Sequence, residues 1–456
     1  MKAIDIFADK FMDNREKRRA ARKATRGKLQ AMVNGGVLMP LSRVTKIDLL
    51  HAEKIPTGIS ELDDLLRGGI YRRSVAIVCG ESHEGKSGLV CQIIAKTLAN
   101  TDKYVLAYSR EMSDGELIYK TLIQLAGEEM ELIPKTMDYG IPASVEHDIR
   151  ILVNERYFSV STKDADGRQI RPAERWAHIS KTFEDFAKAT NGNCLIVVDP
   201  LMMLTADTAC SPGMPQSEVE RQTMLASWLE NFASQYRCWI LMAAHYKKKT
   251  GNALMDKDPQ ERILGASATF NASGTVITYS RYNNADFNWI RKHPEQALKS
   301  RRFKGIVKKE IGDIDPLPTD EKEKAAKLGE YAERLIGLLE DARNITVYKN
   351  RGNRGKQERV GFCAGFNQKT ERIGSYGRGD FDDSKYNWRA NLSDAVDLVD
   401  PIDPETGMTL SEIQRKIEEV MIPAFMVGDK SVEAEMNQLM STAKWLTAYA
   451  ESKYES

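Results

Sequence analysis

The sequence predicts an α/β protein built around a mainly parallel central sheet. Five short apolar segments have the length and composition of strands that are buried on both faces: Val75–Val78, Val105–Tyr108, Leu195–Val198, Trp239–Ala243 and Thr275–Tyr279. Longer helical patterns separate most of them: Gly85–Leu98, Gly115–Leu125, Glu174–Ala187 and Ser217–Ser234. This alternation is typical of βαβ units, in which consecutive strands run parallel.

Composition places the chain among globular proteins. It has 456 residues, of which 42% are hydrophobic and 29% charged, enough for a large buried core. Its net charge of +1 neither predicts nor excludes a polyanionic partner. The six cysteines form no C-x-x-C pair, which argues against a zinc site. Several cysteines lie in apolar strand-like segments, which fits a reducing compartment. No apolar run is long enough to cross a bilayer. The charged N-terminus lacks the apolar core of a signal peptide. We therefore expect a cytoplasmic protein that does not associate with a membrane.

Three parts follow one another along the chain. Residues 1–50 contain a helix whose apolar positions precede a basic block at Arg15–Lys28. This helix is either a solvated tail or a docking element for a neighbouring subunit. The main domain is expected at 51–370, with a charged helical insertion at 283–340 and a β-hairpin after it. Residues 371–456 form a polar C-terminal tail with two helices, the first starting at a capping box of Thr409 and Glu412.

A phosphate-binding loop stands between the first predicted strand and its helix. Gly80–Ser87 fits G-x-x-x-x-G-K-[ST] at every fixed position. In such loops the backbone N–H groups surround the phosphates, the lysine pairs with the β- and γ-phosphates, and the hydroxyl reaches Mg²⁺. The sequence therefore predicts a site for ATP and Mg²⁺, with these nucleotide-binding residues: Gly80, Glu81, Ser82, His83, Glu84, Gly85, Lys86, Ser87 and Gly88.

Polar residues follow three other predicted strands. Asp199 ends the third strand, where a carboxylate either contacts magnesium or caps the next turn. Glu111 follows the second strand and is the candidate base that orients the attacking water, unless it is a solvated loop residue. Glu81 and Glu84 are weaker candidates for that base. His245 ends the fourth strand and is either a γ-phosphate sensor or a structural histidine.

These blocks, in this order, resemble the helicase domain of DnaB-type hexameric replicative helicases, including short phage versions. Tyr108–Met112 is similar to the family's "SLEM"-like block, which carries its catalytic glutamate. His245 falls where the family has a polar phosphate sensor. The remaining similar segments are the entry segment Ile55–Asp63, the helix Pro215–Tyr236 after the first DNA-facing loop, the DNA-binding loop Ile263–Ser267 and the K-x-R finger Lys349–Arg351.

The resemblance implies a RecA-like ATPase core and a hexameric ring that translocates 5′ to 3′ on single-stranded DNA. Lys349 and Arg351 would reach the ATP of the neighbouring subunit. The family's globular N-terminal domain is not recognisable, and residues before about 34 resemble only its linker helix. Primase and polymerase would be separate proteins, in a bacterial cell or a phage-infected host.

The DNA-binding loop departs from the family pattern. The family usually has an arginine there, followed by a glutamine and acidic residues, whereas this chain has Leu264, Phe270, Asn271 and Ser273. Backbone N–H groups of the loop would then contact DNA, with nearby basic side chains supplying charge. The predicted DNA-binding residues are Lys248, Lys249, Arg262, Gly265, Ala266 and Ser267.

Two other functions remain open at this point. A strand-exchange recombinase uses the same fold and forms filaments, and a helicase loader or regulatory ATPase would not be a motor. The nucleotide site and the finger are compatible with each of these, so the sequence motifs alone do not separate them.

Overall fold

The computed structural model describes residues 53–81, 84–133, 138–161, 163, 168–245, 273–312, 317–350, 360–386, 388, 408–422, 424 and 430–454. The chain divides into two compact units, Met1–Glu53 and Lys54–Ser456, and almost all of the described residues belong to the second. The predicted helix within residues 1–50 lies outside the described residues. None of the helices in the described ranges is long and apolar enough to cross a membrane.

A nine-stranded mixed sheet forms the centre of the described unit. The strands, in chain order, are β1 (Lys54–Ile55), β2 (Ile70–Tyr71), β3 (Ser74–Gly80), β4 (Tyr104–Ser109), β5 (Glu131–Ile133), β6 (Asp138–Gly140), β7 (Tyr157–Ser159), β8 (Cys194–Asp199), β9 (Trp239–His245), β10 (Thr275–Arg281), β11 (Arg343–Asn350), β12 (Val360–Phe366) and β13 (Ile373–Ser375). The spatial order is β13-β12-β11-β10-β3-β9-β8-β4-β7, and β1–β2 and β5–β6 form separate two-stranded sheets.

Strand direction divides the central sheet into two parts. From β10 to β7 every neighbouring pair is parallel, as the alternation of strands and helices predicted. From β10 to β13 every neighbouring pair is antiparallel, so the predicted hairpin of β11 and β12 extends the sheet at one edge. The carboxyl ends of the parallel strands consequently meet at one edge of the sheet.

The described part of the chain has thirteen α-helices, of which the first seven cover the two faces of this sheet. They are α1 (Ser60–Leu65), α2 (Lys86–Asn100), α3 (Asp114–Ala126), α4 (Ala143–Arg156), α5 (Arg175–Ala189), α6 (Leu201–Asp207), α7 (Glu218–Tyr236), α8 (Asn284–Lys292), α9 (Pro294–Lys299), α10 (Lys304–Ile306), α11 (Glu321–Leu339), α12 (Leu410–Lys416) and α13 (Glu433–Tyr454). The four helices predicted between the strands are α2, α3, α5 and α7, with ends displaced by one or two residues.

Alternation along β3 shows how two cores form on one sheet. Ala76 and Val78 face a core shared with α1–α4, whereas Val75, Ile77 and Cys79 face a second core shared with α5–α7. Successive strand side chains point to opposite faces, so an unbroken apolar run supplies both cores. Each fully buried aliphatic side chain contributes about 1.5–3 kcal/mol to stability.

The predicted insertion is helical and lies between β10 and β11. Helices α8–α11 gather around their own apolar cluster, which includes Phe303 and Leu335 and also takes in Cys363 of β12. Beyond the sheet, α12 and α13 pack on each other through Ile413, Ile417 and Leu439. The predicted capping box is confirmed, because Thr409 accepts from the backbone of Glu412 while the Glu412 carboxylate accepts from the backbone of Thr409.

Two elements between residues 140 and 160 were not predicted. Helix α4 has a weak apolar stripe and several charged positions, and strand β7 is only three residues long. Strand β7 pairs in parallel with β4 at the outer edge of the sheet. A three-residue edge strand has too few residues to show an apolar run, and it is defined by its pairing with β4.

A buried arginine fastens the segment after β12 onto the core. The Arg372 side chain is fully buried; its Nε donates to the Gln124 carbonyl at 2.9 Å, and its Nη1 donates to the Asp383 carboxylate. Its guanidinium lies 3.7 Å from the centre of the Tyr386 ring. Tyr386 and Trp388 belong to the core under α1–α4. The chain therefore remains part of this core past residue 370.

Replacing Arg372 with Met is expected to lower the free energy of unfolding by on the order of 2 kcal/mol, because the buried Gln124 carbonyl and the partly exposed Asp383 carboxylate lose their donor. Arg378 is the matched control, since it pairs with Asp64 on the surface at 2.8 Å with both side chains about half exposed or more. Arg378→Met should cost less than about 1 kcal/mol. Chemical denaturation measures both, and equal losses would contradict the role given to Arg372.

Candidate active site

The phosphate-binding loop lies where the buried strand β3 meets α2. Gly80 ends β3, and a Cβ added there would lie 2.4 Å from the Tyr279 carbonyl oxygen of β10. Gly85 has φ of +95° and directly precedes α2, which starts at Lys86. Both positions therefore require glycine, one for close approach to a neighbouring strand and one for a left-handed backbone. The helix then points its N-terminal N–H groups toward the loop.

Lys86 is buried and reaches across the carboxyl edge of the sheet. Its Nζ donates to the Glu81 carbonyl at 2.7 Å and lies 3.2 Å from Nδ1 of His245. Burial lowers the pKa of Lys86, while the charges of Glu111 and Asp199 oppose that shift. The ammonium is thus held at the centre of a site that contains two carboxylates.

Asp199 ends β8 as a fully buried carboxylate. Neither of its oxygens makes a well-formed hydrogen bond within the described part of the chain, although the Ser87 hydroxyl lies close by. Burial, and then the charge of Glu111, raise its pKa to about 6, whereas the nearby Ser87 hydroxyl and Lys86 ammonium act in the opposite direction. A buried carboxylate without a partner is unfavourable unless a cation joins it. Asp199 and Ser87 would therefore supply hard oxygen ligands of the kind that Mg²⁺ prefers.

Glu111 lies next to Asp199 because β4 and β8 pair in parallel. Ser109 of β4 is opposite Asp199, and the Arg110 N–H donates to the Asp199 carbonyl at 3.1 Å. One residue later, the Glu111 carboxylate lies 3.2 Å from Nε2 of His245. The neighbouring strand end thus brings this carboxylate to the same edge as the loop.

His245 bridges the lysine and the glutamate. Because an ammonium can only donate, Nδ1 of the imidazole accepts from Lys86, and Nε2 then carries the hydrogen that is donated to Glu111. The bond lengths are 3.2 Å on both sides. A neutral imidazole in this tautomer forms a continuous polar chain from the phosphate-binding lysine to the candidate base.

The two weaker candidates for the base are placed differently. The Glu84 carboxylate accepts a hydrogen bond from the backbone N–H of Arg281, the last residue of β10. Burial raises its pKa, and the Arg281 N–H opposes that shift. Glu81 contributes its backbone carbonyl to Lys86. Glu111 is the one of the three glutamates whose carboxylate contacts His245.

Other predicted site residues have different positions. Lys349 lies near the end of β11, and Gly88 lies in the first turn of α2. The remaining predicted residues lie outside the described ranges, and they are Ser82, His83, Lys248, Lys249, Arg262, Gly265, Ala266, Ser267 and Arg351.

One charged cluster beside the site was not predicted. The Asp207 carboxylate at the end of α6 accepts hydrogen bonds from the Tyr108 hydroxyl, Arg110 Nε and Arg175 Nη1, each at 2.8 Å. The contributing residues are separated by up to 99 positions, and no motif links the Tyr108–Met112 block to Arg175 or Asp207. An arginine next to the candidate base was the one feature of the sequence that pointed to this cluster. Its partner Asp207 could not be identified, because the pairing depends on the tertiary fold.

The fold and the site together define a P-loop ATPase with a RecA-like core. A P-loop follows the central strand β3, His245 ends the adjacent strand β9, Asp199 ends the next strand, β8, and Glu111 follows β4 beyond it. Residues 54–309, more than half of the chain, match the family of the DnaB-like helicase C-terminal domain. The chain belongs to this family, whose members are ATP-hydrolysing DNA helicases.

Individual relatives are more distant. The DNA repair protein RadA of Mycolicibacterium smegmatis is 26% identical over 177 residues, which are 37% of this chain and 36% of that protein. RadA of Treponema pallidum is 38% identical over 99 residues, 22% of this chain and 19% of that protein. The chain thus spans about a third or less of the length of these curated relatives.

Two solved structures are among those to which this chain is similar. The ATPase domain of G40P is 12% identical with a TM-score of 0.43, covering 71% of this chain and 91% of that one. A DnaB-like replicative helicase, solved to show its interactions with primase, is 12% identical with a TM-score of 0.45, covering 76% of this chain and 71% of that one.

Replacing Asp199 with Asn is expected to stabilise the protein without nucleotide while weakening its response to Mg²⁺ and ATP. At pH 8 the carboxyl is ionised in both states, and a folded-state pKa raised from 3.8 to about 6 means that ionisation disfavours the fold by about 3 kcal/mol. Thermal unfolding should therefore show a higher Tm for Asp199→Asn alone, and a smaller Tm rise on adding Mg²⁺ with an ATP analogue.

The exposed Asp64, with a 64% exposed side chain, provides the control. Asp64→Asn should leave both the Tm and its rise with ligand nearly unchanged. A lower Tm for ligand-free Asp199→Asn would show that the carboxylate has a stabilising partner in the folded protein.

Proposed function

We propose that this protein is a ring-forming, ATP-driven replicative helicase that translocates on single-stranded DNA. The observation that carries the proposal is the meeting of Lys86, Asp199, Glu111 and His245 at the carboxyl ends of four adjacent parallel strands. Membership of the DnaB-like helicase family supports the coupling of that ATPase to DNA. This role implies that the protein acts in replication in the cytoplasm of a bacterial or phage-infected cell. Primase and polymerase would be separate proteins.

Each side chain has a distinct role in this proposal. Lys86 neutralises charge on the β- and γ-phosphates, and Glu111 accepts a proton from the attacking water. His245 contacts both residues, so a change at the γ-phosphate reaches the base through one imidazole. Asp199 and Ser87 would hold Mg²⁺, which supplies charge neutralisation on the phosphates when bound.

The course of β11 supports a finger that acts on the next subunit. Asn350 pairs with Thr275, which in turn pairs with Ala76 near the start of β3. The phosphate-binding loop begins at Gly80, four residues further along β3, which corresponds to roughly 13 Å. Lys349 therefore leaves the sheet at the edge opposite to its own subunit's ATP site.

A finger at that edge suits a head-to-tail assembly. In a closed ring, the amino edge of one subunit's sheet faces the carboxyl edge of the next in a repeated heterologous contact. Lys349 and Arg351 would then complete the neighbour's site, where a guanidinium can bridge phosphate oxygens as a fork. Single-stranded DNA would pass through the centre, bound mainly by its phosphates.

A strand-exchange or DNA repair ATPase is the second candidate, and the similarity to RadA favours it. Both candidates require a composite ATP site, but they differ in assembly. Electron microscopy with single-stranded DNA and an ATP analogue should show closed rings. Filaments would favour the recombinase, and isolated subunits would favour a loader or regulatory ATPase.

Glu111→Gln should bind ATP with unchanged affinity but hydrolyse it at least roughly 10²-fold more slowly, because an amide cannot accept the proton from water. Lys86→Ala should also lose hydrolysis, since the charge that develops on phosphate is no longer compensated. Steady-state hydrolysis and binding of a fluorescent ATP analogue measure the two effects separately. If Glu84→Gln loses turnover and Glu111→Gln retains it, the base is Glu84.

Arg351→Ala should bind ATP but hydrolyse it on the order of 10³-fold more slowly. Mixing it with Lys86→Ala tests whether the finger acts between subunits. Some mixed interfaces then combine the intact loop of one subunit with the intact finger of another, so activity should return. A co-assembled mixture as inactive as its components would instead assign Arg351 to its own subunit or to DNA.

A further inference from the structure

The Asp207 carboxylate joins three elements beside the ATP site. It lies at the end of α6 and accepts from Tyr108 of β4, from Arg110 just after β4 and from Arg175 at the start of α5. Its side chain is 16% exposed, so its hydrogen bonds are only partly screened by water. Two guanidinium groups and one hydroxyl therefore share a single, largely buried carboxylate.

Arg110 is held by two elements, strand β8 and the helix α6 that follows it. Its backbone N–H donates to the Asp199 carbonyl at 3.1 Å, and its side chain pairs with Asp207. Helix α6 begins at Leu201, two residues after Asp199. Both anchors thus belong to one short stretch of chain, Asp199–Asp207. Its first residue is the proposed magnesium ligand, and its last residue pairs with the Arg110 side chain.

Glu111 is the next residue and lies beyond the regular part of β4, which ends at Ser109. Its carboxylate is 38% exposed and contacts His245 at 3.2 Å. A side chain on a loop of this kind is positioned chiefly by the residues that hold the loop. Fixing Arg110 at its backbone and its guanidinium therefore restricts where the Glu111 carboxylate can be.

A cavity of about 170 Å³ borders the same guanidinium groups. Arg110, Arg175 and His178 line it, together with Asp207. Because open space lies on one side of the Arg110 side chain, packing alone does not determine its position. The ion pair with Asp207 supplies the restraint that close packing would otherwise supply.

We propose that Arg110 and Asp207 are positioning residues. They fix the Glu111 carboxylate relative to Asp199, where it can accept a proton from the attacking water. This inference rests on the proposed role of Glu111 as the base. Neither Arg110 nor Asp207 need touch the nucleotide, so their loss should change turnover rather than nucleotide binding. A misplacement of about 1 Å at a reacting group is enough to reduce a rate by up to roughly 10²-fold.

Arg110→Met and Arg175→Met form a matched pair for the test. Each removes one guanidinium that bonds the same carboxylate at 2.8 Å, and the two side chains are 27% and 33% exposed. Only Arg110 is adjacent to Glu111. Arg110→Met should lower kcat by about tenfold or more with unchanged affinity for a non-hydrolysable ATP analogue. Arg175→Met should keep kcat within about twofold.

Equal kcat values for the two variants would overturn the proposal. An affinity loss in Arg110→Met as large as its kcat loss would also overturn it, because Arg110 would then act in binding. Arg110→Lys should recover most of the rate, since an ammonium can still pair with Asp207; no recovery would contradict the ion pair as the cause. If Arg110→Met unfolds below the assay temperature, Asp207→Asn takes its place with the same expected results.

Glu111→Gln separates this inference from the function on which it rests. If Glu111→Gln hydrolyses ATP normally, Glu111 is not the base and the proposed mechanism fails first. If Glu111→Gln is inactive while Arg110→Met turns over at the wild-type rate, the mechanism stands and the positioning role is wrong.

Discussion

Parallel pairing of β3, β9, β8 and β4 is the constraint on which the site depends. Parallel strands place all their carboxyl ends at one edge, so a single residue after each strand is enough to build a composite site. The register fixes the details, since Gly80 pairs with His245 and Ser109 with Asp199. Burial of the sheet on both faces holds that register, because a slip by one residue would exchange the side chains of the two cores.

The same edge concentrates charge that the protein alone does not balance. Among the described residues, none makes a well-formed hydrogen bond to the Asp199 carboxylate. Burial raises the pKa of Asp199 and lowers the pKa of Lys86, so it disfavours the charged form of each. Such a site is unfavourable without its ligand and becomes favourable when phosphates and a divalent cation enter it. In the proposed mechanism, part of the affinity for nucleotide would come from relieving this electrostatic cost at Lys86 and Asp199.

Local patterns were sufficient to predict the elements that carry their own signal. Apolar runs were enough to predict β3, β4, β8, β9 and β10. The phosphate-binding loop was predicted from the fixed positions of a motif only eight residues long. The cluster at Asp207 was not predictable in this way, because its partners Tyr108, Arg110 and Arg175 reach it only through the tertiary fold. Strand β7 was missed for a related reason, since its three residues become a strand only through pairing with β4.

Both outer strands of the central sheet are very short. Strand β7 and strand β13 each have three residues, although the strands beside them have six and seven. An edge of three residues exposes few unpaired backbone groups, so it is a poor template for adding a strand from another molecule. Within the described residues, the open sheet therefore offers another copy of the chain few unpaired backbone groups, even at high local concentration.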